Sequence, residues 1–209
     1  MTDQEIATIA DAYSMTVPVR IMGTVRAVRE TEHLAGDIVE CGVWRGGNII
    51  AAMLAAQRPR RFWLFDTFEG MTEPGEHDWR RGRHATEAAA YRKAGASGWC
   101  RSELPEVKAN VERYRRADQE VRYIQGPVEH TLLGQDLPDR IVVLRLDTDF
   151  YDSTRAELEV LWPRVVPGGI LIVDDYGSWD GCRRACDEYF GADAIWEMIK
   201  PPTVRRVKS

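Results

Sequence analysis

The chain is poor in lysine, poor in cysteine and empty of long apolar runs. Lys93, Lys108, Lys200 and Lys208 are its four lysines in 209 residues. The net charge of -5 supplies no basic field for nucleic acid or an anionic membrane. Its four cysteines, Cys41, Cys100, Cys182 and Cys186, form no C-x-x-C pair. A chain of this length has core enough to do without disulfide staples, so reduced thiols and a cytoplasmic location are expected. Cys182 and Cys186 lie four apart on an expected helix, but no histidine or third cysteine stands at ligand spacing, which argues against a metal pair. No apolar run approaches the roughly 18 residues of a membrane span, and "MTDQEIATIADAY" lacks the apolar centre of a signal peptide. Two further absences, of G-x-G-x-x-G and of a Tyr-x-x-x-Lys proton relay, count against a dinucleotide or nucleotide-sugar oxidoreductase.

What is present is alternation. Residues 1–30 carry a helical apolar stripe interrupted at Pro18. "GDIVECG" (36–42), "RFWLFD" (61–66), "VRYIQG" (121–126), "RIVVLRLD" (140–147) and "ILIVDD" (170–175) read as strands. Helices are expected over 48–57, over 102–116 with Ser102 as cap, over 153–165 with Thr154 and Glu157 at capping-box spacing, and over 181–191. "PGG" (167–169) should stop the chain. "AIWEMI" and "TVRRVK" should close it as an antiparallel hairpin. Apolar strands alternating with helices predict one α/β domain over 1–209, a mostly parallel seven-stranded sheet with helices on both faces. The polar, glycine-bearing stretch 71–101 shows no clear strand and is expected to be a lid insertion.

In such a sheet, ligands bind beyond the carboxyl ends of the strands. "VECGVWRGGNII" is the first strand-to-helix turn, with Gly42, Gly46 and Gly47. Asp66 ends the second strand, where a carboxylate can accept both hydroxyls of a ribose. The spacing Glu40-x-Gly42-x-x-x-Gly46 suits S-adenosylmethionine, which has a ribose and no pyrophosphate. Strand-helix packing is the plainer use of these glycines.

Two further strand ends carry acids in pairs, Asp147 and Asp149 in "LDTDFYDST", Asp174 and Asp175 in "ILIVDDYG". If these strands are neighbours, about 4.8 Å apart, four carboxylates meet at one sheet edge. Like charges that close need protonation or a counter-ion, and Mg²⁺ with its oxygen ligands is one. Helix capping or a turn role for Asp175 would be the alternative.

At this point "GDIVECGVWRGG", "LFDTFEGM", "LDTDFYDST" and "VPGGILIVDDYG" resemble the macrocin O-methyltransferase family, in order and spacing, from about Tyr13 to Lys208. The resemblance implies a Rossmann-like class I methyltransferase that uses S-adenosylmethionine and Mg²⁺ to methylate a sugar hydroxyl in antibiotic biosynthesis. It implies Asp147, Asp174 and Asp175 as metal ligands and Asp149 or Asp147 as general base. Glu40, Gly42, Trp44, Arg45, Gly46, Asp66 and Thr67 would line the cofactor site. An N-terminal helical lid (about 1–30) would close over the cofactor, with Ser14 and Met15 touching it. A homodimer and a small acceptor with adjacent hydroxyls are implied as well. Rival readings are a catechol-type methyltransferase, a metal-dependent phosphoesterase, the oxidoreductase above and a non-catalytic cofactor-binding protein. His33, His77, His84 and His130 are alternative bases, and Trp79 and Trp99 are candidate stacking platforms.

Overall fold

A computed structural model describes residues 1–209, apart from the side chain of Ser97. Two helices open the chain, α1 (Asp3–Asp11) and α2 (Pro18–Glu30). Thr2 caps α1 through a reciprocal box with Glu5, and Pro18 sits in the first turn of α2, where its missing N–H costs nothing. Then follow β1 (Asp37–Cys41), α3 (Gly47–Ala55) and β2 (Arg61–Asp66). The insertion holds β3 (Trp79–Arg80), β4 (Arg83–His84) and α4 (Ala89–Ala94). After it come α5 (Leu104–Glu112), β5 (Glu120–Gln125), α6 (Val128–Thr131), β6 (Ile141–Leu146) and α7 (Tyr151–Val160). The chain ends with β7 (Val165–Val173), α8 (Asp180–Phe190), β8 (Glu197–Lys200) and β9 (Thr203–Val207).

Seven strands form one sheet in the order β5-β2-β1-β6-β7-β9-β8. The first five are parallel; β9 and β8 return antiparallel. Side chains alternate between faces with period two, and the two cores separate accordingly. Ile38, Leu64, Val143 and Ile172 pack with α1, α2 and α3 through Ile6, Ile21, Ile49 and Met53. Val39, Phe65, Leu144 and Leu171 pack with α7 and α8 through Leu158, Cys182 and Cys186. The cysteine pair is therefore apolar core. The order reverses between β1 and β6, which opens a crevice at their carboxyl ends.

Four local expectations change. β7 runs through Pro167, Gly168 and Gly169 because the terminal strand holds them: Gly168 N–H donates to Lys208 O, and Lys208 N–H donates to Gly169 O. Helix α5 is capped at Glu103, not Ser102, whose hydroxyl donates to Glu106 instead. Thr154 and Glu157 are buried inside α7. That helix starts earlier because Asp78 of the insertion accepts a hydrogen bond from Tyr151 N–H at 2.8 Å. The insertion does contain strands, the short β3–β4 hairpin.

Gly42 is the tightest point of the crevice. Its φ is +80°, and a Cβ there would lie 2.1 Å from Asp147 O. Gly42→Ala therefore combines left-handed backbone strain, about 1–3 kcal/mol, with a backbone collision. The thermal midpoint is expected to fall by several degrees; an unchanged midpoint would mean the turn is looser than described.

Candidate active site

A cavity of about 290 Å³ sits over the carboxyl ends of β1, β2, β6 and β7. Asp66, which ends β2, orders the glycine turn: its Oδ2 accepts from Val43 N–H at 2.7 Å and Trp44 N–H at 3.0 Å, and its Oδ1 from Phe68 N–H at 2.7 Å. Burial raises its pKa, and these backbone donors work against that rise. Trp44 and Phe68 take positive φ values of 48° and 55° to make the contacts.

Of the residues expected at the cofactor, Gly42, Trp44, Asp66, Thr67 and Met15 line the cavity. Arg45 does not, being turned to Glu106 on α5 at 2.8 Å. Gly46 is the left-handed N-cap of α3 and packs against Val111. Gly47 packs against Ser14 and donates to Tyr13 O, so the third glycine serves to seat the N-terminal segment. Ser14 accepts from Thr16 N–H at 2.9 Å. Thr16 and Arg20 of the same segment do line the cavity, as do Gly126, Pro127 and Val128.

Glu40 is buried in the sheet opposite Arg145 and accepts its guanidinium at 3.0 Å. Among the described residues its Oε2 has no hydrogen-bond partner, and Glu40 is not on the wall of the cavity. Burial pushes its pKa up to about 8. The folded chain thus binds a proton that the unfolded chain, with an ordinary carboxyl near 4.5, releases. Stability from Glu40 is present at low pH and is lost as pH rises from about 4.5 to 8. Glu40→Gln is expected to flatten this loss by up to about 1.4 kcal/mol per pH unit. Urea melts of the ligand-free protein between pH 5.5 and 8 would show it; parallel profiles for parent and variant would contradict it.

Asp147, Asp149 and Asp175 converge, each offering an oxygen within 4.8 Å of the others. Burial, then Asp175, raise the Asp149 pKa well above the ordinary range. Asp147 is pushed up to about 6 by burial, with Arg145 opposing. Asp149 holds φ at 69°, a left-handed conformation that aspartate tolerates better than most residues. Glu157 supports this turn by accepting from Thr148 Oγ1 at 3.0 Å. Three hard oxygen donors this close together are a donor set that fits Mg²⁺.

Asp174 is set apart from that trio. Its carboxylate accepts from Arg145 at 2.7 Å and from Arg20 and Thr203, because one residue of register carries it to the sheet face that Arg145 shares. Arg145, 2 % exposed, also holds Asp147 at 2.7 Å. It was not among the residues expected here, though a lone arginine inside "VVLRLD" was the signal. Among the described residues no histidine lines this cavity. His84 bonds Gly75 O, and His77 lies against Arg184. Trp99 lines the cavity while packing on Phe150 and Trp179; Trp79 packs on His84 outside it.

Three comparisons bear on this geometry. The curated 8-demethyl-8-(2,3-dimethoxy-α-L-rhamnosyl)-tetracenomycin-C 4′-O-methyltransferase of Streptomyces olivaceus is 42 % identical over 168 residues, 78 % of this chain and 61 % of its own length. The chain thus spans about three fifths of that relative. Demethyldecarbamoylnovobiocin O-methyltransferase of Streptomyces niveus is 34 % identical over 186 residues, 86 % of this chain and 68 % of the relative. The solved O-methyltransferase NovP superposes with a TM-score of 0.77 at 30 % identity, over 94 % of this chain and 82 % of its own. The macrocin O-methyltransferase (TylF) family model matches residues 7–201. With that match across nearly its whole length, the chain belongs to the macrocin O-methyltransferase family.

Proposed function

We propose that the protein transfers the methyl group of S-adenosylmethionine to a hydroxyl of a sugar or similar vicinal diol in natural-product biosynthesis, with Mg²⁺ at the aspartates. The observation that carries this is the convergence of Asp147, Asp149 and Asp175 in the cavity that Gly42, Trp44 and Asp66 also line. Family membership and relatives named for methylation of a rhamnosyl group and of a novobiocin precursor support it. A phosphoesterase reading leaves the ordered glycine turn without a use.

Bound there, S-adenosylmethionine supplies a methyl on a cationic sulfur, and Mg²⁺ supplies Lewis acidity that lowers the pKa of an oxygen reaching it. Asp147 and Asp175 would hold the metal, in keeping with the one or two carboxylates Mg²⁺ usually takes. Arg145 keeps Asp147 ionised and oriented. Asp149, its pKa raised well above the ordinary carboxylate range by burial and by Asp175, is the carboxylate placed to take the acceptor's hydroxyl proton. Asp149 would take the proton that the acceptor hydroxyl gives up as S-adenosylmethionine supplies the methyl. Met15, Thr16 and Arg20 close the cavity from the N-terminal segment, and Trp99 and Trp179 wall the acceptor side. Homodimer formation and a cytoplasmic location belong to the same proposal. Among the described residues no helix is long and apolar enough to cross a membrane.

Methyl-labelled S-adenosylmethionine should be incubated with a panel of deoxysugar derivatives and catechols, with Mg²⁺ or chelator, and the products weighed by mass spectrometry. The expected result is label on a sugar, lost with chelator. Label on catechols alone would favour the catechol-type alternative; NADH binding without sulfonium binding would overturn the reading.

A further inference from the structure

The cavity does not end at the aspartates. Arg80, Trp99 and Trp179 line both it and a second groove of about 510 Å³, whose other walls include Arg81, Arg83 and Arg92. A chain of net charge -5 has here gathered four arginines in one short insertion. Other surface arginines hold carboxylates, as Arg101, Arg116 and Arg122 do. Among the described residues the four guanidiniums of the groove have no ion pair and no hydrogen bond. Glu87 is the one carboxylate on its wall, and it accepts from His84 N–H.

The local structure makes this harder to read as a plain solvated face. In the β3–β4 hairpin Arg80 stands directly opposite Arg83. Like charges in that position weaken a strand pair, and a two-stranded hairpin is marginal to begin with. The turn places Arg81 at φ 52° and Gly82 at φ 73°, a type I′ geometry that favours Asn or Gly over Arg. Arg80 is pinned with its guanidinium 5.5 Å from the ring centre of Trp179, itself 3 % exposed. A hairpin of poor intrinsic stability thus presents fixed positive charge at the mouth of the acceptor cavity.

We propose that this groove binds the anionic part of the acceptor, and that the acceptor is a sugar diphosphate ester whose diphosphate lies among Arg80, Arg83 and Arg92 while its sugar reaches the aspartates. The assignment rests on the methyl-transfer reading and narrows its substrate class. Guanidinium forks match phosphate oxygens in pairs. Several forks converging suit the charge of a diphosphate better than a single carboxylate. Methyl transfer would then come before the glycosyl transfer that consumes an activated sugar and expels its diphosphate carrier.

Titration calorimetry in EDTA, so that diphosphates do not sequester metal, tests this with four probes: uridine diphosphate, thymidine diphosphate, inorganic pyrophosphate and a neutral methyl glycoside. The parent is expected to bind at least one diphosphate probe, with affinity falling at least tenfold in the doubly substituted Arg83→Ala/Arg92→Ala variant and on raising salt. Tighter binding of the nucleoside diphosphates than of pyrophosphate would assign a nucleotide carrier. Equal binding would assign recognition to the diphosphate alone. No diphosphate binding, or binding indifferent to the two substitutions, would overturn the proposal. S-adenosylmethionine is titrated in parallel. If it binds and diphosphates do not, the groove assignment falls and methyl transfer stands; if it fails to bind the parent, the methyl-transfer reading falls.

Discussion

Asp149→Asn is expected to cut methyl transfer by about 10²–10⁴, the usual worth of a positioned acid–base group, without destabilising the protein. The two halves of this expectation have separate origins. The rate falls because an amide cannot take the acceptor's proton. Stability holds because the substitution removes one of three mutually repelling carboxylates and places asparagine at φ 69°, a conformation it accepts at least as readily as aspartate. A ligand-free melt should show a midpoint equal to or above that of the parent, and S-adenosylmethionine affinity should change little. Asp147→Asn provides the contrast: it should weaken Mg²⁺ dependence itself, since Asp147 is read as a ligand. An Asp149→Asn enzyme turning over at the parent rate would remove Asp149 from the chemistry.

Arg145→Met is expected to be the most destabilising single change in the site, by about 3–5 kcal/mol, because breaking a buried ion pair from one side leaves uncompensated charge. Here three carboxylates lose a cation at once: Glu40 at 3.0 Å, Asp147 at 2.7 Å and Asp174 at 2.7 Å, the last keeping Arg20. The penalty should depend on pH with a definite sign. Glu40 and Asp147 have raised pKa values of about 8 and 6, so acidification toward pH 5.5 protonates both and removes the repulsion that Arg145 offsets. The difference between parent and variant in urea melts should therefore be larger at pH 8 than at pH 5.5. Arg145→Lys should recover part of the loss, because a single ammonium cannot span three acids as a planar fork does. A pH-independent difference would mean that lost packing, rather than lost charge, dominates.

The centre of the sheet was legible because β1, β2, β6 and most of β7 are buried on both faces and read as near-continuous apolar runs. The neighbouring placement of β6 and β7, on which the meeting of the aspartates depends, followed from the right-handed crossover that α7 makes between them. Which aspartates converge was not legible. Asp174 and Asp175 are adjacent, and one step along a strand swaps faces, so Asp174 went to Arg145 and Arg20 while Asp175 joined Asp147 and Asp149. Arg145 was overlooked because its partners come from β1 and β7, far apart in sequence. Thr154 and Glu157 show how a capping motif misleads. The cap of α7 is supplied by Asp78, more than seventy positions upstream, which leaves Glu157 free to brace Thr148. Arg45, Gly46, Gly47 and Ser14 had the right neighbourhood but turn to packing and surface partners, which local spacing does not encode.

The most direct test of a cation between the two sheet ends is crystallography with manganese(II), located by its anomalous scattering. The expected map has one strong peak at Asp147 and Asp175, about 2.0–2.2 Å from their oxygens in the range of small octahedral cations, with Asp149 beside it and Asp174 still on its arginines. A fully soaked crystal with no peak there, and the three carboxylates splayed toward other partners, would contradict the account.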